Sequence, residues 1–325
     1  MPSKITVRPF LAPDDYEVLA ALLTRAGGSP VSATALREFD DQMPPHDELT
    51  TDPGGRLTGH GRTRALAVTG DGNPVGWAVA WRAPWTPAGD VVSEVTVDPG
   101  VSAAEVLPGL LDHLETWGVA AGADRILSEV ADADEHRLDH VRRRGYRIDA
   151  HVRTASTELP LDGAESALDH LRAAGLTVTT LAESGGDAVE RELHLLYDQT
   201  LTDNPGHLDG PIDFDTWREE VVTGQGRRTD WVFLALREAE IVGVTAAQST
   251  DDPHTAYVDY TGVARDWRGR GIARALKLVA AQRLEQSGVR RLRTEVEASN
   301  TAMMAVNARL GYTLGTGHYR MVKPL

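Results

Sequence analysis

The chain has 325 residues, 41% of them hydrophobic and 25% charged, enough apolar material for two folded domains. A formal charge of −15 argues against nucleic acid and anionic membrane as partners, and the absence of cysteine excludes disulfides, thiolate metal sites and a cysteine nucleophile. There is no apolar run of membrane-spanning length, and the start, MPSKITVRPF, lacks an apolar signal core, so a cytoplasmic location is expected.

In chain order, residues 5–10 alternate as a strand, and residues 14–25 carry Tyr16, Leu19, Leu22 and Leu23 at helical spacing. Residues 31–62 are polar and broken by Pro-Pro and Gly-Gly pairs, which predicts an irregular helix-and-loop segment. Strands over 64–68 and 75–81 flank the turn Thr69-Gly70-Asp71-Gly72-Asn73-Pro74. A strand over 91–97, a helix over 103–119, a strand over 126–130 and a helix over 136–144 follow, with a last strand expected to close the set. The second half repeats this order. It has a strand over 176–181, a helix over 188–200, a loop and helix over 206–222, and a hairpin of strands 231–236 and 241–247. Arg144-Gly145-Tyr146 echoes Leu310-Gly311-Tyr312, so the chain reads as an internal duplication, with domains at 1–160 and 161–325.

The most informative stretch is 257–284, YVDYTGVARDWRGRGIARALKLVAAQRL. A β-branched and aromatic strand feeds a basic, glycine-containing turn. The turn opens a helix with Ile272, Leu276, Val279, Ala280 and Leu284 on its apolar side. Free N–H groups at the helix start suit a phosphate. The Walker pattern is absent, and the dinucleotide pattern fails at its third glycine, where Arg274 stands. What fits is R-x-x-G-x-A, held by Arg268, Gly271 and Ala273. Beyond it come a strand over 291–296, a helix start at Asn300-Thr301-Ala302-Met303-Met304-Ala305, and Leu310-Gly311-Tyr312.

These features resemble the GNAT acetyltransferases, whose pyrophosphate loop is [RQ]-x-x-G-x-[GA] and whose closing signature is a strand, an N-x-x-A-like helix and L-G-[FY]. Met303 stands at the alanine place. The resemblance covers the C-terminal half, and the two-copy layout is similar to mycothiol synthase and related two-GNAT proteins. It implies an α/β (α+β) chain of two tandem GNAT-like domains, each a mixed, mostly antiparallel twisted sheet flanked by helices. The first copy lacks the loop: Ser102 to Leu107 hold its places with neither arginine nor glycine, and Glu105 is expected where Gly271 sits. A degenerate first domain and a catalytic second one are therefore expected.

The resemblance further implies acetyl-CoA as co-substrate. Arg268, Gly269, Arg270, Gly271, Ile272, Ala273 and Arg274 would hold the pyrophosphate, and Thr261, Gly262 and Val263 the pantetheine arm, with the Val263 N–H as oxyanion donor. An amine acceptor arrives protonated, and Asp259, two residues before Thr261, is the first candidate for taking its proton, ahead of Tyr257 and Glu295. The tyrosine that usually protonates the leaving thiolate is replaced by Asn307, so either Asn307 only binds the cofactor, or Tyr312, Tyr319 or water supplies the proton. Asn300 binds pantetheine or caps its helix. Asp203, His207, Asp209 and Trp217 would form the substrate wall, with Tyr257 as a further substrate contact. His136 and His140 have helical metal-ligand spacing but lack the accompanying glutamate, so no metal site is expected. The expected acceptor is a small-molecule amine and the expected state a monomer or homodimer. The alternative of another class is a non-catalytic acyl-CoA-binding or sensing protein.

Overall fold

The computed structural model describes every residue except 1–4, 28–29, 42–46 and 206–211. The chain forms two units, Met1–Asp149 with His318–Leu325, and Ala150–Gly317. The first half supplies β1 (Thr6–Pro9), α1 (Tyr16–Gly27), α2 (Ala33–Asp41), β2 (Glu48–Thr51), β3 (Leu57–Val68), β4 (Pro74–Arg82), β5 (Asp90–Val97), α3 (Ala103–Ala121), β6 (Arg125–Ala131) and α4 (Glu135–Arg143). Then come β7 (Arg147–Glu158), α5 (Ala164–Ala173), β8 (Thr177–Thr180), α6 (Leu181–Ser184), α7 (Asp187–Leu201) and α8 (Phe214–Arg218). The chain ends with β9 (Arg227–Arg237), β10 (Glu240–Ser249), β11 (Thr255–Val263), α9 (Ile272–Gln286), β12 (Arg291–Glu297), α10 (Thr301–Arg309) and β13 (Thr313–Pro324).

In the first unit β1, β3, β4 and β5 pair antiparallel, β5 pairs parallel with β6, and residues 318–324 of β13 pair antiparallel with β6. The amphipathic α3 buries Val106, Leu107, Leu110, Leu111 and Leu114 against this sheet. In the second unit β8, β9, β10 and β11 pair antiparallel, β11 pairs parallel with β12, and β12 pairs antiparallel with residues 152–158 of β7. Its core joins Phe233, Ala235, Val242 and Val258 of the sheet to Ile272, Leu276, Val279 and Leu284 of α9. Ala167 and Leu171 of α5 belong to the same cluster, so α9 is buried on more than one side.

Several expectations need correction. Between 31 and 62 the chain is not irregular throughout: α2 and the β2–β3 hairpin lie there, the latter closed by a turn over 52–55. Helix α5 was not anticipated at all. The division at residue 160 also differs from the compact units, because each unit takes a strand from the far end of the other half. A strand's pattern shows that it pairs, but not with which neighbour.

Candidate active site

The site is built where two paired strands part. β11 pairs with β12 only at residues 255–257, opposite 291–293, while its pairing with β10 continues to Val263. Ala264 N donates to Val242 O on the β10 side at 2.9 Å. Backbone alternation therefore turns the N–H and C=O of Val263 to the opposite edge, where Arg268 Nε donates to the Val263 carbonyl at 2.9 Å. Into the gap opens a cleft of about 560 Å³, lined by the strand residues Val258 to Val263, by the turn and start of α9, by β12 and by α10.

After β11 the chain makes one 3₁₀ turn, Arg265–Trp267. Gly269 and Gly271 then take φ of 74° and 76°, the left-handed region that glycine enters without a steric penalty. Gly271 caps α9 and offers no side chain to the first-turn N–H groups. Those groups, with Arg268 and Arg274 on the cleft wall, make an anion cradle. Gly262 is fixed by packing, since a Cβ there would lie 2.8 Å from Thr200 Oγ1, which itself hydrogen-bonds the Tyr260 hydroxyl.

The other end of the cleft is acidic, with Asp259, Glu295 and Glu297 on its wall. Asp259 is the extra residue of a β-bulge, since Ala246 pairs with Tyr260 and Ala247 with Val258. It is mostly buried. One of its oxygens pairs with Arg227 Nη1, and the other, Oδ1, is buried without a hydrogen-bond partner among the described residues. Burial pushes the Asp259 carboxyl above the usual range, and the adjacent Arg227 guanidinium only partly offsets that. The bulge breaks the simple period-two relation between Asp259 and Thr261 that the sequence predicts. Thr261 instead exchanges a 2.8 Å hydrogen bond with Thr245.

The cleft is also lined by Lys277, on α9 and 4% exposed. Its Nζ donates to Asn307 Oδ1 at 2.9 Å and sits 5.0 Å above the Tyr312 ring. Burial pushes the Lys277 ammonium down to about 8.

Of the residues expected at the site, Asp259, Thr261, Gly262, Val263, Arg268, Gly269, Gly271, Ile272, Ala273, Arg274 and Asn300 line the cleft. Asn300 Oδ1 accepts from Met303 N, which makes it the cap of α10, and its Nδ2 donates to Asn204 Oδ1. Arg270 does not line it: its guanidinium lies over Trp267 and donates to Asp266 O. Tyr257 lies off the cleft lining, its hydroxyl raised by burial and by Glu295 and Asp259 nearby. Tyr312 is in the core behind the cleft. Its hydroxyl is buried without a partner among the described residues and pushed well up by desolvation, so it is not placed to supply a proton. Asn307 is likewise buried below the lining and reaches the cleft only through Lys277. Asp203 lines the cleft but is not free for a substrate: Arg265 binds it at 2.7 Å and Arg268 at 2.8 Å, and Arg265 foremost holds its carboxyl down at about 2. Trp217 is packed against Tyr197 in the core rather than exposed as a wall. His207 and Asp209 lie outside the described residues. Among the described residues no cluster of metal-ligating side chains occurs, and no helix is long and apolar enough to cross a membrane.

The sequence reading missed Arg227 and Lys277. Arg227 carries no local signal, because its partner is 32 positions away. Lys277 does carry one: it interrupts the run Ala275-Leu276-Lys277-Leu278-Val279 in a helix that is otherwise buried there.

The first unit lacks this loop. Aligned on the helix starts, Ser102 holds the cap place of Gly271, with φ of −64°, and Glu105 falls in the first turn of α3 rather than at the glycine place. The connection from β5 spans 98–101, against 264–270 in the second unit, and has no counterpart of the 3₁₀ turn.

A parted parallel strand pair beside a glycine-arginine turn at a helix start can receive a phosphate-bearing ligand whose arm runs along the strand edge. Residues 193–312 match the sequence model of the Acetyltransferase (GNAT) family. The solved structures whose fold the whole chain resembles include a GCN5-related N-acetyltransferase and a tandem GNAT protein. The crystal structure of a GCN5-related N-acetyltransferase from Sphaerobacter thermophilus matches with a TM-score of 0.72 at 19% identity, over 100% of this chain and 96% of that one. A tandem GNAT protein from the clavulanic acid biosynthesis pathway matches with a TM-score of 0.67 at 18% identity, over 98% of each. At these identities the likeness is one of fold. In sequence, N-alpha-acetyltransferase MAK3 of Arabidopsis thaliana is 33% identical over 82 residues. That match covers 25% of this chain and 43% of that protein's length.

Proposed function

We propose that the chain transfers an acetyl group from acetyl-CoA to the primary amine of a small molecule, in the cleft of the second unit. The observation that carries this reading is one cleft joining an anion cradle, Arg268 to Arg274, to an acidic end, Asp259, Glu295 and Glu297, along an unpaired strand edge. The residues suit the donor: backbone N–H groups at the start of α9 and Arg274 are available to a pyrophosphate, with Arg268 beside them paired to Asp203, and the parted edge of β11 offers hydrogen bonds to an amide-bearing arm. When bound, acetyl-CoA supplies the activated acyl group. The N–H of Val263 is turned to stabilise the thioester oxygen. The carboxylates attract the acceptor's ammonium, and Asp259 takes its proton, directly or through water. An aminoglycoside-like compound, an amino acid derivative or an amino sugar has the required chemistry. A screen of acyl-CoAs against amines that records free thiol tests the proposal; acyl-CoA binding without thiol release from any pair would favour a sensing protein instead.

The first unit is read as structural. Calorimetry with CoA should give a stoichiometry of one per chain, because the α3 start has neither glycine nor arginine; a value near two would overturn this. A further expectation concerns Arg227. In Arg227→Met the burial that raises Asp259 loses its counterweight, so the Asp259 pKa rises further. Since the base works ionised, the acid limb of the kcat/KM–pH profile should move to higher pH. A limb that stays in place would mean that another group titrates.

A further inference from the structure

Lys277 is not accounted for by fold or by donor binding. It is a cation within the wall of the cleft, with no carboxylate bonded to it among the described residues. The charged groups around the cleft are Asp203 after α7, Arg268 in the turn, Arg274 on its own helix, Asp259 on β11, Glu295 and Glu297 on β12, and Arg309 on α10, yet among the described residues Lys277 hydrogen-bonds to Asn307 alone. Nδ2 of Asn307 is buried without a partner among the described residues, which leave the lysine as the group that orients this amide. An unneutralised buried cation is costly, and an apolar residue would serve the core better. The choice of lysine is informative too. Among 33 basic residues the chain has only three lysines, Lys4, Lys277 and Lys323. Unlike the arginine used elsewhere, lysine can release a proton near neutral pH when buried.

Resting on the acyl-transfer reading, we propose that Lys277, held by Asn307, is the acid that protonates the departing thiolate. As the amine nitrogen bonds to the acyl carbon, the carbon–sulfur bond breaks with its electron pair on sulfur. One Nζ proton passes to that sulfur, giving a thiol and a neutral lysine, which regains a proton from solvent in the cleft. Burial lowers the Lys277 ammonium toward the range in which thiols titrate, so it gives up a proton to sulfur more readily than an ordinary lysine.

The test uses the full chain and CoA as probe. With lysine labelled at ¹³Cε the spectrum holds few signals, and Lys277→Met assigns the one that matters. The Lys277 signal should titrate well below the ordinary lysine range. Saturating CoA should raise its apparent pKa, because thiol and ammonium titrate as a pair. S-ethyl-CoA, a thioether without that proton, should not. Lys277→Met should lose about 10²–10⁴-fold in turnover with CoA affinity changed only a few-fold. Identical Lys277 titrations under the two ligands, or undiminished turnover in Lys277→Met, would overturn the assignment. Should the variant fail to fold, the wild-type titration decides alone. A wild-type chain that binds neither ligand by calorimetry would remove the acyl-transfer reading itself; binding of both without a response at Lys277 removes only the lysine's role.

Discussion

Acetyl-CoA binding measured by calorimetry is expected to disappear in Gly271→Glu. Three effects act together. At φ of +76° a residue with a Cβ is strained by roughly 1–2 kcal/mol. The new Cβ would lie 3.3 Å from His170 Nε2, which sits against the Arg270 carbonyl at 2.8 Å. Finally, a carboxylate would stand at the mouth of a cradle built for an anion, with like charges opposed. Gly271→Ala carries the strain and the crowding but no charge, and should weaken binding only by about tenfold. Equal affinity in wild type and Gly271→Glu would show that the donor binds elsewhere, with the start of α3 as the next place to look.

Asp259→Asn should lower turnover by about 10²–10⁴-fold while leaving acetyl-CoA affinity nearly intact, since the turn over 264–271 is untouched. The substitution keeps size and removes basicity. The defect should shrink as pH rises, because more of the amine then arrives without its extra proton. The measurement that decides is the ratio of wild-type to variant kcat across pH. A small, constant ratio would mean that Asp259 serves only to hold Arg227, and would pass the role to Glu295 through water. Some loss of stability is expected as well, because Arg227 is left partly buried without its partner.

The fold was largely legible because its elements carry strong periodic signals. The α9 stripe from Ile272 to Leu284, the β9–β10 hairpin and the α3 apolar face stand where their patterns put them. The turn before α9 was legible for a local reason: Arg268, Gly269 and Gly271 lie close together in sequence, and the left-handed backbone of the two glycines follows from a single turn. What stayed hidden depends on distance. That Asp203 neutralises Arg265 and Arg268, that Arg227 clamps Asp259, and that Asn307 meets Lys277 are facts of tertiary contact between segments 30 to 65 positions apart. The bulge at Asp259 was hidden too, because a bulge shifts register without altering the apolar pattern. Tyr312 misled by its chemistry, since a tyrosine that is suited to give a proton is equally suited to fill a core.

The strands that close the two units have a meaning for the chain's origin. Residues 152–158, at the end of the first repeat, pair with β12 of the second, while residues 318–324, at the end of the second, pair with β6 of the first. Had each repeat once been a separate polypeptide, this reciprocal trade is what a two-fold dimer with exchanged tails would show. Joining the genes end to end would then make the partnership permanent. It would also free one half from keeping its own catalytic turn, since that half would persist as the obligatory holder of its sibling's final strand.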